Sequence, residues 1–221
     1  EVSLILEDKR LQVRSGKSRF SLQTLPADDF PRMTLAEGET RQFSISQRAF
    51  RQLLGKTQFG MAAQDVRYYL NGLLLLVEGT ELRAVATDGH RLARVETDAP
   101  GQALGMPGVI IPRKAVAEII KGVDDAGDDV GIELSSTKIR LTLGSVVLTS
   151  KLIDGTFPDY QQIIPRKYNS RTLVSTASLL KACKQAEIFA REGSNVARFN
   201  IKTANGEMQP SEVEISATSE E

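Results

Sequence analysis

Residues 65–79, DVRYYLNGLLLLVEG, followed after two residues by 82–97, LRAVATDGHRLARVET, carry the reading that decides the fold. The second string splits into two alternating segments, 82–86 and 91–95, pinched at Asp88-Gly89, the dipeptide that most readily supplies the positive φ values of a tight hairpin turn. A hairpin there puts Thr87, His90 and Arg91 at an exposed tip. In the first string Asn71-Gly72 would ordinarily mark another hairpin, but 68–70 is short for a partner strand. A kink or bulge at Asn71-Gly72 and a turn over 78–80 is therefore the expected arrangement.

The 221 residues suffice for one large domain or two medium ones. With 41% hydrophobic residues the chain can build a core, and no run approaches the roughly 18 apolar residues that a membrane helix needs. A soluble protein of the reducing cytoplasm is expected, with no membrane contact. Cys183 and His90 are the sole residues of their types, so an intrachain disulfide is impossible and a cysteine- or histidine-rich zinc site lacks ligands. No metal or cofactor is expected. No basic-then-apolar leader opens at Glu1.

The 28 basic and 28 acidic residues cancel, which argues against gripping nucleic acid by bulk electrostatics. Their distribution is uneven. Helical periodicity runs over 46–57, with Ser46 as cap and Phe50, Leu53 and Leu54 inside; over 112–122, with proline in the first turn and Val116, Ile119 and Ile120 inside; and over 175–189, with Ser175 as cap and Leu179, Ala182, Cys183 and Ala186 inside. The polar positions of these helices hold Arg48, Arg51, Lys56, Arg113, Lys114, Lys121, Lys181 and Lys184 against Glu118 and Glu187. A solvated face would explain any one of them. Three helices sharing the bias favour a common polyanionic surface.

The chain also resembles itself. The segment 11–16 with Phe20, Leu22, Leu25 and Phe30-Pro31 is echoed by 139–144 with Leu148, Leu152 and Phe157-Pro158, and the helix from Ser46 by the helix from Ser175, at offsets between 127 and 129 residues. The offsets predict tandem domains of one design: 1–39 as the closing strands of a first domain, 40–167 as a complete central domain, and 168–221 as the opening part of a third. Polar linkers at 36–40 and 165–170 separate them. The outer pieces expose strand edges and cannot bury a core alone, as expected of part of a longer molecule or an incomplete representation of one. Within the central domain the order strand, helix, strands, helix, strands reads as α+β, with antiparallel sheets and two helices on one side.

Catalysis has sparse material. Asp88 and His90 could form an acid–base pair beside a Ser or Thr nucleophile, yet Asp88 stands where the turn itself favours aspartate. No glycine-rich phosphate loop, nucleophile elbow or paired-carboxylate motif is present. Asp124, Asp125, Asp128 and Asp129 lack the spacing of a calcium loop and read as a solvated turn, and Asp154 and Asp159 complete no ligand set.

Three strings, 64–72 (QDVRYYLNG), 86–92 (ATDGHRL) and 157–160 (FPDY), resemble in order and spacing the bacterial DNA polymerase III beta subunit family, the sliding clamps. The resemblance extends from about Leu11 to Glu221. It implies three similar domains per subunit and a head-to-tail homodimeric ring, with sheets outside and helices lining the hole. It implies a non-catalytic processivity factor that encircles duplex DNA without reading its sequence and tethers the replicative polymerase, clamp loader and repair proteins through short linear motifs. DNA contacts carry over to Gln64, Tyr68 and Tyr69, with Arg67, Arg113, Lys114, Arg48 and Arg51 as phosphate partners; strand alternation would instead put one of the two tyrosines in the core. A peptide cleft carries over to Leu70, Thr87, Gly89, His90, Arg91, Leu92, Pro158, Gln162 and Ile163, where the family often has a basic residue in place of Gln162. Leu70 and Leu92 read equally as core, and Pro158 as a strand terminator. Subunit contacts carry over to Phe20 and Leu22 against Ile188 and Phe189, although the alternating strand positions of Phe20 and Leu22 read equally as core. A strand-rich interaction adaptor that never encircles DNA is the alternative; it accounts for the cleft but not for the basic helices.

Overall fold

Glycines in turns and serines at helix starts cut the chain into short elements. The computed structural model describes residues 1–35, 40–169, 171–191, 195–202 and 211–218. In the unit Glu1–Pro158 these elements are β1 (Ser3–Glu7), β2 (Arg10–Ser15), β3 (Ser18–Gln23), β4 (Arg41–Ser46), α1 (Gln47–Thr57), β5 (Gly72–Glu78), β6 (Glu81–Thr87), β7 (Leu92–Asp98), β8 (Val109–Pro112), α2 (Arg113–Gly122), β9 (Asp129–Leu134), β10 (Lys138–Leu143) and β11 (Val146–Lys151). They form three antiparallel sheets of strand order β1-β2-β3, β11-β10-β9-β4 and β7-β6-β5-β8. The unit Asp159–Glu221 holds α3 (Tyr160–Ile163), α4 (Thr176–Ala190) and the hairpin of β12 (Arg198–Lys202) and β13 (Glu212–Ser216). The observed class is thus the expected α+β arrangement with antiparallel sheets.

Period-two alternation builds the core of the first unit. Phe43 and Ile45 of β4, Val130, Ile132 and Leu134 of β9, and Ile139, Leu141 and Leu143 of β10 all point inward. They meet Leu73 and Leu75 of β5, Leu82, Ala84 and Ala86 of β6, and Ile111 of β8. The helices close this core with Phe50, Leu53 and Leu54 from α1 and Val116 and Ile119 from α2, all but fully buried. Ser46 caps α1 by accepting from the Ala49 amide at 3.3 Å. Pro112 lies one residue earlier than expected, as the residue that precedes α2 rather than within its first turn.

Of the four leucines at 73–76, the first three are buried and Leu76 is half-buried, because the β7-β6-β5-β8 sheet is covered on more than one face. Leu74, Val85 and Ile110 lie on the face opposite the main core and are still buried, with Ile153 bridging to Ile110. This packing explains Asn71-Gly72. A Cβ at Gly72 would come within 2.7 Å of Ile110 Cγ2 and of Ile111 O, so only glycine lets β8 pair here. No kink or bulge is present: Asn71 ends a 3-10 turn over Tyr68–Leu70, and Gly72 opens β5. The expected turn after it is found, with Glu78 facing Glu81 across Gly79-Thr80 and Gly79 at φ +61°.

In the second unit Ser175 caps α4 by accepting from the Ser178 amide at 3.5 Å. Ala186 is buried, but Leu179, Ala182 and Cys183 are only half-buried, because among the described residues this unit offers the helix little more than one two-stranded hairpin to pack against. The linker at 36–39, Ser170 and the stretches 192–194, 203–210 and 219–221 lie outside the described residues.

Candidate functional site

The hairpin of β6 and β7 carries the chemically richest surface of the first unit. Thr87 faces Leu92 across the end of the ladder, so the connection is four residues, 88–91, rather than a two-residue pinch. Within it only Gly89 has a positive φ, at +90°. Asp88 shapes the turn: its Oδ1 accepts from the amides of His90 and Arg91 at 3.0 Å each, and its Oδ2 accepts from Arg91 Nε at 3.1 Å. These amide bonds, that of His90 first, hold the Asp88 carboxyl below its usual range. Asp88 therefore bonds the backbone of His90, not its imidazole, and orients no general base.

Thr87 departs from the expected exposed tip. It is 4% exposed, because its Oγ1 donates to Arg91 O at 2.7 Å and accepts from the Gly89 amide at 3.1 Å. A β-branched hydroxyl that ties both ends of a turn is drawn beneath it. His90 and Arg91 are exposed as expected, Leu92 and Pro158 are half-buried, and Leu70 is buried at 2% exposure. In the second unit Gln162 is exposed and donates to Asp159 Oδ2 at 2.8 Å, while Ile163 stays 56% exposed.

Upstream of β5, residues 64–69 form an irregular arm pinned at its base. Asn71 Oδ1 accepts from the Asp65 amide and Asn71 Nδ2 donates to Asp65 O, both at 2.9 Å. Gln64 and Tyr68 are exposed, and Tyr69 is half-buried. The two tyrosine rings meet edge to face with centroids 5.8 Å apart. They lie in a 3-10 turn rather than a strand, so strand alternation does not decide which of them is available. Arg67 is engaged: Nε and Nη2 grip Asp65 at 2.9 and 2.6 Å. This grip lowers the Asp65 carboxyl to about 2 and raises the Arg67 guanidinium. Arg67 Nη2 also reaches Asp88 O at 3.4 Å, linking the arm to the hairpin tip.

The basic residues of α1 and α2 are all exposed, and the two helices pack against each other. Arg51 lies 3.5 Å from Asp125 of the exposed acidic loop, Lys121 lies 2.9 Å from Glu118, and Arg113 Nη1 donates to Met61 O at 3.0 Å. Arg48, Lys56 and Lys114 have no acidic partner among the described residues. Phe20 and Leu22 in one unit, and Ile188 and Phe189 in the other, each show more than half of their surface. Two contributors to the site escaped the sequence reading: Asp65, whose partner is two residues away, and Phe59, whose ring lies beneath Arg91. The motif 64–72 contained the first; nothing local marked the second.

Residues 44–159 match the family model described as the DNA polymerase III beta subunit, central domain. The chain is 44% identical to the beta sliding clamp of Proteus mirabilis over 95% of its own length and 56% of that protein, and 42% identical to that of Escherichia coli K12 over 97% and 60%. It superposes on a crystal structure of the DNA polymerase sliding clamp from Pseudomonas aeruginosa with a TM-score of 0.81 at 38% identity, covering 99% of this chain and 61% of that one. A second structure from that organism, bound to griselimycin, gives 0.80. The chain spans about 60% of the length of these relatives. A family model that matches more than half of the residues and identity sustained along the whole chain lead to one conclusion: this chain belongs to the DNA polymerase III beta subunit family.

Proposed function

We propose that the protein is a sliding clamp, a non-catalytic ring that encloses duplex DNA and tethers a polymerase beside the primer end. The observation that carries this reading is the pair of mutually packed helices, α1 and α2, which expose Arg48, Arg51, Arg113 and Lys114 on a chain with no net charge. A ring retains DNA topologically, so a few phosphate contacts suffice and the balance of charge elsewhere lets it move. Tethering raises the polymerase's effective concentration at its substrate and performs no chemistry. Gln64, Tyr68 and Tyr69 add contacts from the arm, with Arg67 acting there only in competition with Asp65.

In this reading residues 1–39 close a first domain, 40–167 form the central domain and 168–221 open a third, the subunits joining head to tail through Phe20 and Leu22 against Ile188 and Phe189. Polymerase, clamp loader and repair proteins dock by short motifs at a groove containing His90, Arg91, Leu92 and Pro158. The protein works in the cytoplasm, in keeping with the absence of any helix long and apolar enough to cross a membrane among the described residues.

The deciding experiment loads the whole protein on a nicked circular duplex and then linearises it. Loss on linearisation is the expected outcome; equal retention on circle and open-ended linear DNA would refute the clamp. Ile188→Ala with Phe189→Ala should yield a folded monomer, and Leu92→Arg should abolish binding of a fluorescent clamp-motif peptide while leaving the oligomer intact.

A further inference from the structure

Arg67 joins the arm to the connection between β6 and β7. Its Nε and Nη2 are fixed on the Asp65 carboxylate, and Nη2 also reaches Asp88 O at 3.4 Å. The guanidinium lies against Gly89, where a Cβ would come within 3.2 Å of Nη2 and 3.3 Å of Nη1. Gly89 is in the left-handed region at φ +90°, which selects glycine, and the missing side chain leaves the room that the guanidinium fills. Asp65 is a firm base for this hold, because Asn71 ties down its backbone amide and carbonyl.

Gly89 stands between Asp88 and His90, at the rim of the groove proposed above, while Arg67 belongs to the arm that meets DNA. One side chain therefore touches both surfaces. It is 48% exposed, and Nη1 has no acceptor among the described residues. The bond to Asp88 O is the longest of its side-chain bonds and the first to yield. We propose that Arg67 gates the groove: its guanidinium covers Gly89 in the free protein and leaves it when a duplex phosphate, in competition with Asp65, draws it away, so that DNA and partner peptide favour each other. The inference rests on the clamp and groove readings above and adds a coupling between them. A phosphate suits this role because its oxygens match the guanidinium fork as the Asp65 carboxylate does. The peptide, for its part, prefers the uncovered state, because covering Gly89 removes room at the rim. Two ligands that favour the same position of one side chain must strengthen each other's binding by the same factor.

The test uses the whole protein, free in solution and loaded on a nicked circular duplex, and the anisotropy of a fluorescent peptide with glutamine, leucine and phenylalanine anchors. The wild type should bind the peptide about two- to fivefold tighter on the circle, the scale of one exposed ion pair. In Arg67→Ala and Arg67→Lys the free protein should already bind as tightly as the loaded wild type, and DNA should add nothing. Asp65→Ala should raise the affinity of the free protein in the same way, although the arginine stays in place. Lysine keeps the charge but lacks the fork, so a preference for the circle that survives in Arg67→Lys belongs to charge alone and overturns the proposal. Equal or weaker binding on the circle by the wild type overturns it too. Two controls separate the levels. If Leu92→Arg leaves peptide binding unchanged the groove reading has failed, and if the ring stays on linearised DNA the clamp reading has failed; this inference falls with either. If both readings stand and the wild type binds equally on and off DNA, this inference alone has failed.

Discussion

The hairpin β2–β3 turns at Gly16 and the hairpin β10–β11 at Gly144, both with φ of +56°. Pairing beyond the turn is also the same, with Ser15 facing Ser18 in one and Leu143 facing Val146 in the other. Their burial differs. Ile139 and Leu141 are fully buried, whereas the matching Leu11 and Val13 are half-buried, and Phe20 and Leu22 show 61% and 53% of their surface. Helices α1 and α4 repeat the contrast: both start on a capping serine, but Phe50, Leu53 and Leu54 disappear into the core while Leu179, Ala182 and Cys183 do not. Turn and cap are set within a few residues. Burial depends on what other elements lie opposite.

That contrast sets the size of substitution effects in this 221-residue chain. Ile139→Ala should destabilise it by about 2 to 5 kcal/mol, since the site is enclosed and leaves a cavity. Leu11→Ala should cost about 1 kcal/mol or less, because a half-buried leucine has less to lose. Denaturant unfolding of both variants measures the difference, and equal costs would break the comparison.

Gly16→Ala and Gly144→Ala should be alike, each costing about 1 to 2 kcal/mol, because the left-handed backbone penalises any Cβ whatever the packing. Neither position has a neighbour within 4 Å of that Cβ, so sterics beyond the backbone add nothing. Amide exchange across each hairpin reads the effect locally; a large inequality would mean that the turns are not equivalent.

Ser46→Ala and Ser175→Ala should each remove about 1 kcal/mol of helix stability, through the same lost acceptor. Protection of the first-turn amides of α1 and α4 checks this. Here the comparison sharpens: the cap of α1 is backed by a buried helix, so its loss should fray only the first turn, while α4 should lose protection further along.

The smallest effect concerns the arm. Asp65 titrates near 2 rather than near 3.8 because Arg67 bonds its ionised form. A depressed carboxyl favours the folded arm above its ordinary value, so this contribution should persist down to about pH 4 and be lost as the pH falls toward 2. Carbon-detected titration of Asp65 measures it, and Arg67→Ala should return the carboxyl toward its ordinary value.

Much of the fold was legible because local chemistry repeats. Ser46, Ser175, Gly79, Gly89 and the alternating strands all behave as residues of their kind do over a span of a few positions. At Asn71-Gly72 a hairpin was rightly set aside, but the kink or bulge expected in its place is a 3-10 turn running straight into β5. As a dipeptide it has the signature of a turn, yet Gly72 is there because β8 and Ile153 press against it, and Asn71 because its amide closes a loop onto Asp65. The demand on Gly72 comes from segments 38 to 81 residues away, whereas that on Asn71 lies within the motif itself.

The site divides along the same line. The sequence by itself determined that a hairpin would turn at Asp88-Gly89, that His90 and Arg91 would lie at its tip, that the helices would be basic, and that the strings 64–72, 86–92 and 157–160 mark the clamp family. Only the tertiary structure decided that Arg67 reaches across to Asp88 O at the hairpin tip and that the end of α1 brings Phe59 beneath Arg91. The physical reason is range: φ preferences, caps and alternation act between near neighbours, whereas burial and the pairing of a guanidinium with a distant ring depend on how separate elements pack.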